Sequence, residues 1–231
     1  MPIATQQPRT KVGQDYASIG KLLWFYDVAD VALDNANGGT VASARDLSGN
    51  GLAISQATAN LRPTLITNAD GFGNPCMRGT GTHYLRLGTI QAIPHPYTVF
   101  AVALSTGGSN NAVCGSGQFE VYWKGVDTSF YMYGGTNEVS IGTASLNVVH
   151  ILTATFNGAS SVGSIDGTAS STVNPGSTAV TTFNMMAASG GAEGLRGDFY
   201  LCGAYAGVLS SAQYTALVRQ LAERFRITVA V

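Results

Sequence analysis

The stretch "GDFYLCGAYAGVLSSAQYTALVRQLAERF" at Gly197–Phe225 holds the clearest change of periodicity in the chain. Its first part, Asp198–Ala206, is a short apolar and aromatic run typical of a β-strand. Ser210 or Ser211 can cap the second part, where apolar residues follow at helical spacing. These residues are Tyr214, Leu217, Val218, Leu221 and Phe225. The stretch predicts a strand followed by an amphipathic helix that docks on the edge of a sandwich.

Upstream of this helix the chain consists of short β-branched and aromatic runs separated by Gly, Asn, Asp and Ser clusters. In "HILTATFNG" at His150–Gly158, successive side chains alternate between two faces, as in a strand with one buried side. The pattern predicts an all-β sandwich or barrel. The predicted strands are Leu22–Tyr26, Tyr84–Leu87, Thr98–Leu104, Phe119–Trp123, Ser129–Tyr133, Val148–Phe156, Ser161–Ile165, Thr182–Ala187 and Asp198–Ala206.

The domain organisation follows from where this pattern begins. Residues 1–20 are polar, contain Pro2 and Pro8, and show no sustained periodicity, which predicts an extended arm that a neighbour must order. No linker or repeat divides residues 21–231, and the chain of 231 residues is long enough to bury a sizeable core. We therefore expect one domain over residues 21–231 preceded by an arm.

The composition limits the possible partners. Only 11% of the residues are charged and the formal net charge is -1, so no basic surface is expected for nucleic acid or for a membrane. No apolar run is long enough to span a bilayer, and the amino terminus lacks the apolar core of a signal peptide, so we expect folding in a cytoplasm. A surface rich in Ser, Thr, Asn and Gly suits contacts with neighbouring subunits or neutral ligands.

The three cysteines, Cys76, Cys114 and Cys202, match no metal-binding spacing. Without a secretion signal, an odd number favours buried, reduced thiols that act as small apolar side chains. The alternative is an intermolecular disulfide.

A resemblance appears once the motifs are read in order. They are "LLWFYDVAD" (Leu22–Asp30), "VASARDLSGNGLAIS" (Val41–Ser55), "RPTLI" (Arg62–Ile66), "GTGTHYLRL" (Gly79–Leu87), "PYTVFAVA" (Pro96–Ala103), "HILTATFNG" (His150–Gly158), "SIDGT" (Ser164–Thr168) and the Gly197–Phe225 stretch. This order resembles the concanavalin A-like lectin/glucanase superfamily, in particular laminin-G-like jelly rolls of phage and bacterial surface proteins. The resemblance implies a two-sheet antiparallel jelly roll closed by one carboxyl-terminal helix.

Enzymatic relatives in this superfamily place their carboxylates on one E-x-D-x-x-E or E-x-D-x-E strand, and glycoside hydrolysis needs two such groups. This chain has no such strand. Its glutamates Glu120, Glu138, Glu193 and Glu223 are isolated in the sequence, and the position two residues after Glu120 is Tyr122. No serine or cysteine stands in a nucleophile-elbow pattern. We therefore predict no catalytic residues and no enzyme, and a structural hydrogen bond for His150 at its strand end.

Asp27, Asp30 and Asp34, with Asn35, form the densest acidic patch, and Ca²⁺ binds six to eight oxygens that usually include carboxylates. Calcium is therefore a candidate ligand here, and no other cofactor is predicted. Alternatively, these short polar side chains end the first strand and organise the loop after it.

Carbohydrate binding is the function that the resemblance makes most natural. The segment "VYWKGVDTSFYMYGG" at Val121–Gly135 contains Tyr122, Trp123, Tyr131 and Tyr133, whose rings can stack on sugars if they are exposed. The alternative is that alternate members of this set point into the core.

The reading that combines these features is a non-enzymatic virion structural protein, namely a capsid decoration or a head or tail appendage subunit. It would dock on neighbouring subunits through residues 1–20, display the jelly roll outward, and be assembled into the virion in the host cytoplasm. A glycan- or receptor-binding module is the second hypothesis, and a polysaccharide hydrolase is the third. A homo-oligomer fits all three, although no sequence feature sets its order.

The run "RDLSGNGLAIS" at Arg45–Ser55 offers oxygens at Asp46, Ser48 and Asn50, like the start of a calcium loop. An apolar strand follows where further ligands would be needed, so we predict a corner of the jelly roll instead. Asp46 would accept backbone N–H groups from the residues after it, and Gly49 and Gly51 would supply the turn.

Overall fold

A computed structural model describes residues 16–108, 110–124, 128–188 and 191–231. The predicted residues 1–15 of the arm therefore lie outside the described residues. The strands are β1 (Leu22–Asp27), β2 (Ser43–Ala44), β3 (Ile54–Ser55), β4 (Thr64–Ile66), β5 (Cys76–Thr80), β6 (Leu85–Leu87), β7 (Tyr97–Ser105), β8 (Asn111–Gly115), β9 (Glu120–Trp123), β10 (Ser129–Tyr133), β11 (Glu138–Thr143), β12 (His150–Phe156), β13 (Val162–Ile165), β14 (Thr168–Ala169), β15 (Phe183–Met185) and β16 (Arg196–Ala206). The helices are α1 (Val28–Val31) and α2 (Ser211–Phe225).

Two eight-stranded antiparallel sheets make a sandwich, which confirms the predicted fold class. The first sheet has the order β14-β13-β12-β7-β16-β5-β4, with β1 also paired to β16. The second sheet has the order β11-β10-β9-β8-β15-β6-β3-β2. Each predicted strand is present, and α2 begins after Ser210, whose side chain forms a capping box with Gln213.

The core between the sheets is built from inward-facing apolar side chains of both sheets. Its largest members include Trp24 and Tyr26 from the first sheet and Phe119 and Phe183 beside the second, all fully buried. Tyr26 and Phe183 stack with their ring centroids 5.8 Å apart. Aromatic contacts of this kind across the two sheets fix how they face one another.

Helix α2 covers the outer face of the first sheet rather than its edge. Its apolar stripe joins a second cluster with side chains from the central strands, among them Phe25, Phe100 and Ile151. Placement on the face buries more of the stripe than an edge would, because the adjacent strands β12, β7, β16 and β1 all contribute side chains. The first sheet is therefore covered on both sides.

The predicted start of the domain at residue 21 is too late. Tyr16 and Ile19 are buried in the same second cluster, and the Tyr16 ring lies 4.8 Å from that of Phe25. The Tyr205 hydroxyl donates a 3.0 Å hydrogen bond to the Tyr16 carbonyl oxygen, and the Gln213 side chain donates one to Ile19. Residues 16–20 thus belong to the packed domain.

The turn at Arg45–Ser55 is the predicted corner between two strands. Asp46 accepts hydrogen bonds from the backbone N–H groups of Ser48 and Leu52, at 2.9 and 3.1 Å. It also accepts one from Phe25 at 3.0 Å, which the sequence did not predict. Gly49 has φ +88°, in the region that favours glycine. The corner therefore ties the second sheet to β1.

Candidate functional site

The aromatic residues of β9 and β10 divide between the two faces of the second sheet. Trp123 pairs with Phe130 on the inner face, and its indole N–H donates a 2.8 Å hydrogen bond to the Ala144 carbonyl oxygen. Trp123 is fully buried. Its ring is therefore part of the core rather than a face on which a sugar can stack.

Tyr122, Tyr131 and Tyr133 lie on the outer face. Tyr122 is buried, packs against Ala188 and stacks with Tyr131 at a centroid distance of 5.8 Å. Tyr131 and Tyr133 are half-buried, and the Lys124 ammonium lies 5.0 Å from the centre of the Tyr131 ring. Of the predicted sugar-binding residues, Tyr131 and Tyr133 reach solvent.

Strand register extends this surface into a row of side chains. Tyr133 pairs with Glu138 on one side and with Glu120 on the other, Glu120 pairs with Gly115, Gly115 with Asn184, and Asn184 with Arg86. Directly paired residues of antiparallel strands share a face. We call Glu138, Tyr133, Glu120, Asn184 and Arg86 the polar row. At about 4.8 Å per strand, it extends roughly 24 Å across six strands.

Three glutamates that are far apart in the sequence come together at one end of the polar row. Burial, and to a smaller extent the charges of Glu193 and Glu138, raise the pKa of Glu120 to about 7. The hydrogen bond from Lys124 lowers the pKa of Glu138. Glu120, Glu138 and Glu193, which are isolated in the sequence, are therefore neighbours in the fold.

A buried oxygen beside this cluster has unmet hydrogen-bonding capacity. Among the described residues, the Asn184 side-chain carbonyl has no hydrogen-bond partner, and Asn184 is 2% exposed. Asn184 donates from its amide nitrogen to the Ala188 carbonyl oxygen at 2.6 Å. The Tyr122 hydroxyl, on the same face of the sheet, interacts with the Glu138 carboxylate, and burial together with this interaction raises the pKa of Tyr122. Because buried polar atoms are nearly always paired, the Asn184 oxygen is a candidate acceptor for a ligand.

Gly115 makes room for Glu120 in the row. A Cβ atom at Gly115 would lie 2.8 Å from Cγ of Glu120 and 2.9 Å from the Phe119 carbonyl oxygen. The Glu120 side chain therefore extends over Gly115 toward the strand that carries Asn184. A larger residue at position 115 would displace it.

A loop after β15 borders the site. The Ala112 N–H donates a 2.8 Å hydrogen bond to the Glu193 carbonyl oxygen, and the Asn110 amide donates one of 2.7 Å to the Glu193 carboxylate. Met186 and Glu193 have φ of +67° and +52°, which is uncommon for residues other than glycine. The surrounding hydrogen bonds hold this loop in a strained conformation, a feature that often accompanies binding sites.

The predicted calcium ligands are committed to other partners. Asp27 accepts two hydrogen bonds from Arg224 and one from the N–H of Ala29, at the start of α1. Asp30 forms a two-point ion pair with Arg45. Arginine thus takes the place that a cation would occupy at these two residues. Within the described ranges, no group of three or more His, Cys, Asp or Glu side chains is arranged to hold a metal ion.

Other sequence predictions concern His150 and the cysteines. His150 lies 2.6 Å from the Asp166 carboxylate and 3.1 Å from the Ser145 carbonyl oxygen, as expected for a structural histidine. The thiols are free and fully buried, at Cys76, Cys114 and Cys202. None of the described helices has the length and apolar character needed to cross a membrane.

Two cavities of about 550 and 460 Å³ lie on the opposite side of the molecule, beside α2 and the carboxyl-terminal tail. The larger contains Asp166 and Asp198, which are engaged by His150 and Arg78. The smaller is lined mainly by Thr, Ser and small apolar side chains. Among the described residues that line these cavities, each aspartate carboxylate has a hydrogen-bond partner, whereas Glu120 of the polar row has none.

Comparisons with known proteins give structural matches only. No protein-family profile matches the sequence, and no curated protein matches it. Domain 4 of AbnA, a GH43 extracellular arabinanase from Geobacillus stearothermophilus, solved in complex with arabinotriose, matches with a TM-score of 0.60 and 16% identity over 86% of this chain and 98% of that domain. Trypanosoma rangeli sialidase in complex with sialic acid matches with a TM-score of 0.60 and 13% identity over 88% of this chain.

This chain covers 33% of that sialidase chain, about a third of its length. At these identities the likeness concerns the fold alone, which is a sandwich of two antiparallel sheets. The jelly-roll part of the predicted resemblance is supported, while its phage part stays a prediction.

Replacing Glu120 by Gln is expected to change stability in a pH-dependent way. The pKa of Glu120 is raised to about 7 in the folded protein, so the folded state loses stability as pH rises from the ordinary glutamate pKa toward 7. Glu120→Gln removes this loss and should stabilise the protein at pH 8 by about 1–2 kcal/mol, with little change at pH 5. Solvent screens part of the effect because the Glu120 side chain is only half-buried. Urea unfolding at both pH values measures this. An equal effect at pH 5 and pH 8 would contradict the assignment.

Proposed function

We propose that this protein is a glycan-binding module whose site is the outer face of the second sheet. The polar row carries the proposal, because it combines the half-buried Tyr133 ring with the buried Asn184 oxygen, which has no hydrogen-bond partner among the described residues. Sugars present hydroxyl groups that need both donors and acceptors, and C–H faces that pack on aromatic rings. Specific small-ligand sites likewise combine aromatic surface with a few well-placed polar groups.

The length of the polar row fits an extended ligand. Its roughly 24 Å can accommodate several linked sugar rings. Tyr133 supplies a ring near the centre of the acidic end, while Asn184 and Arg86 supply an acceptor and a donor further along. The match to the AbnA domain, whose structure contains arabinotriose, supports the proposal at the level of the fold.

Removing the Tyr133 ring should weaken glycan binding. Tyr133→Ala removes a half-buried ring next to Glu120, and we expect about tenfold weaker binding, corresponding to ~1.4 kcal/mol. A glycan array identifies ligands, and calorimetric titration of wild type and variant compares their affinities. Arg219→Ala, on the exposed side of α2, is the control and should bind like wild type.

Two outcomes would contradict the proposal. A flat response of wild type across the array would remove glycan binding, and unchanged affinity in Tyr133→Ala would remove this site. We also propose that the module binds without cleaving, because the two carboxylates near Glu120 are held by other groups: Glu138 by Lys124 and Glu193 by the Asn110 amide. Release of shorter sugars during the same titrations would contradict that part.

The virion role is a second proposal, favoured by the distribution of exposed apolar side chains. Four large ones are exposed among the described residues, and all line the two cavities beside α2; they are Phe72, Val148, Val208 and Val231. We propose that this side contacts neighbouring subunits, together with residues 1–15, while the polar row faces outward. Deleting residues 2–14 leaves the packed Tyr16 in place, and an unchanged oligomeric state or particle occupancy would contradict docking through the arm.

A further inference from the structure

Glu120 differs from the buried aspartates of this protein in having no partner. Four aspartates are paired with a basic side chain: Asp27 with Arg224, Asp30 with Arg45, Asp198 with Arg78 and Asp166 with His150. Glu120 is half-buried, yet it forms no hydrogen bond or ion pair with any residue in the described ranges. A carboxylate withdrawn from water without a partner is costly.

In the part of the chain that the structure describes, no cation fills this role for Glu120. Its charged neighbours are the carboxylates of Glu193 and Glu138, and the Lys124 ammonium is bound to Glu138. Arg86 stands three strands away along the polar row, at roughly 14 Å. The acidic end of the row thus has an excess of negative charge that the protein itself does not balance.

We infer that Glu120 receives a positively charged group of the ligand, so that the polar row selects oligosaccharides that carry free amino groups. This inference rests on the proposed glycan-binding function. It assigns the chemical class of the ligand, namely amino sugars with an unacetylated, protonated amine.

The neighbouring oxygens suit an ammonium group. An ammonium has three N–H donors and no acceptor, and the outer face offers Glu120 together with the unpartnered acceptor of Asn184. Asn184 lies across Gly115 from Glu120. Hydrogen bonds from a charged donor to a carboxylate are about twice as strong as neutral ones. An acidic sugar would instead meet the carboxylates of Glu120 and Glu193, which no cation of the described residues balances, and this repulsion disfavours its binding.

Three oligosaccharides of equal length separate these possibilities. They are a β-1,4-linked glucosamine tetramer, its fully N-acetylated counterpart and a galacturonic acid tetramer, each titrated at one pH and one ionic strength. Wild type should bind the glucosamine tetramer at least about tenfold more tightly than the acetylated one, and should not bind the galacturonate. Glu120→Gln should reduce this preference to less than about threefold.

Glu223→Gln is the matched control, since it removes the same charge from the exposed side of α2. It should retain the wild-type preference. If Glu223→Gln loses as much preference as Glu120→Gln, overall charge rather than the site is responsible and the inference is overturned. Equal binding of the two glucosamine-based tetramers, unaffected by Glu120→Gln, also overturns it but leaves the proposed function standing. Absence of binding to every sugar tested defeats the proposed function itself.

Discussion

Arg224→Met should lower the free energy of unfolding by about 3–5 kcal/mol, the largest effect expected from a single charged residue of this protein. Arg224 donates two hydrogen bonds to Asp27, at 2.5 and 2.9 Å, and the Asp27 side chain is fully buried. Removing the guanidinium leaves that carboxylate without its counter-charge. The loss also separates α2 from the start of α1, which Asp27 caps.

Urea unfolding at pH 7 measures this loss. Lys124→Met is the matched control, because it breaks an ion pair with Glu138 in which both side chains are more than 40% exposed. Exposed pairs contribute about 0–1 kcal/mol, so this variant should differ little from wild type. A loss below about 1 kcal/mol in Arg224→Met would show that the Asp27 pair does not hold α2 in place.

Trp123→Ala should lower the free energy of unfolding by about 3–5 kcal/mol, because it leaves a cavity at a fully buried position. The Trp123 ring packs edge-to-face with Phe130 at a centroid distance of 5.0 Å, and its N–H is hydrogen-bonded to Ala144. Tyr133→Ala, on the opposite face of the same sheet, should cost less than about 1.5 kcal/mol, because the ring is only half-buried.

Thermal unfolding and glycan titration of both variants test the assignment of the two faces. We expect Trp123→Ala to affect stability and Tyr133→Ala to affect binding. If Trp123→Ala folds with near wild-type stability and loses only glycan binding, Trp123 belongs to the site and the assignment is wrong.

Local pattern was enough to predict the elements that carry strong periodicity. The helical spacing from Tyr214 to Phe225 predicted α2, and the alternation in His150–Gly158 predicted β12, because each period reflects one buried face. The turn residues around Asp46 predicted a corner, since their side chains act on neighbouring backbone groups. Several short strands were missed, such as β4, because three residues are too few to show a period.

The candidate site depended on register, which local pattern does not specify. Alternation places Trp123 and Tyr122 on opposite faces, but the choice of which face is buried is made by the packing of the first sheet. Glu120, Glu138 and Glu193 are separated by long stretches of sequence and meet only because β9, β10 and the loop after β15 are adjacent. The burial of Tyr16 likewise required the aromatic side chains of β1 and β7 to be in place.

Mapping backbone amide chemical shifts during titration with a bound oligosaccharide tests the central claim most directly. We expect the largest shifts to cluster in β9, β10 and β15, around Glu120, Tyr133 and Asn184. Shifts concentrated beside α2, around Tyr214 and Val208, would place the ligand on the opposite side of the molecule and would contradict glycan binding on the outer face of the second sheet.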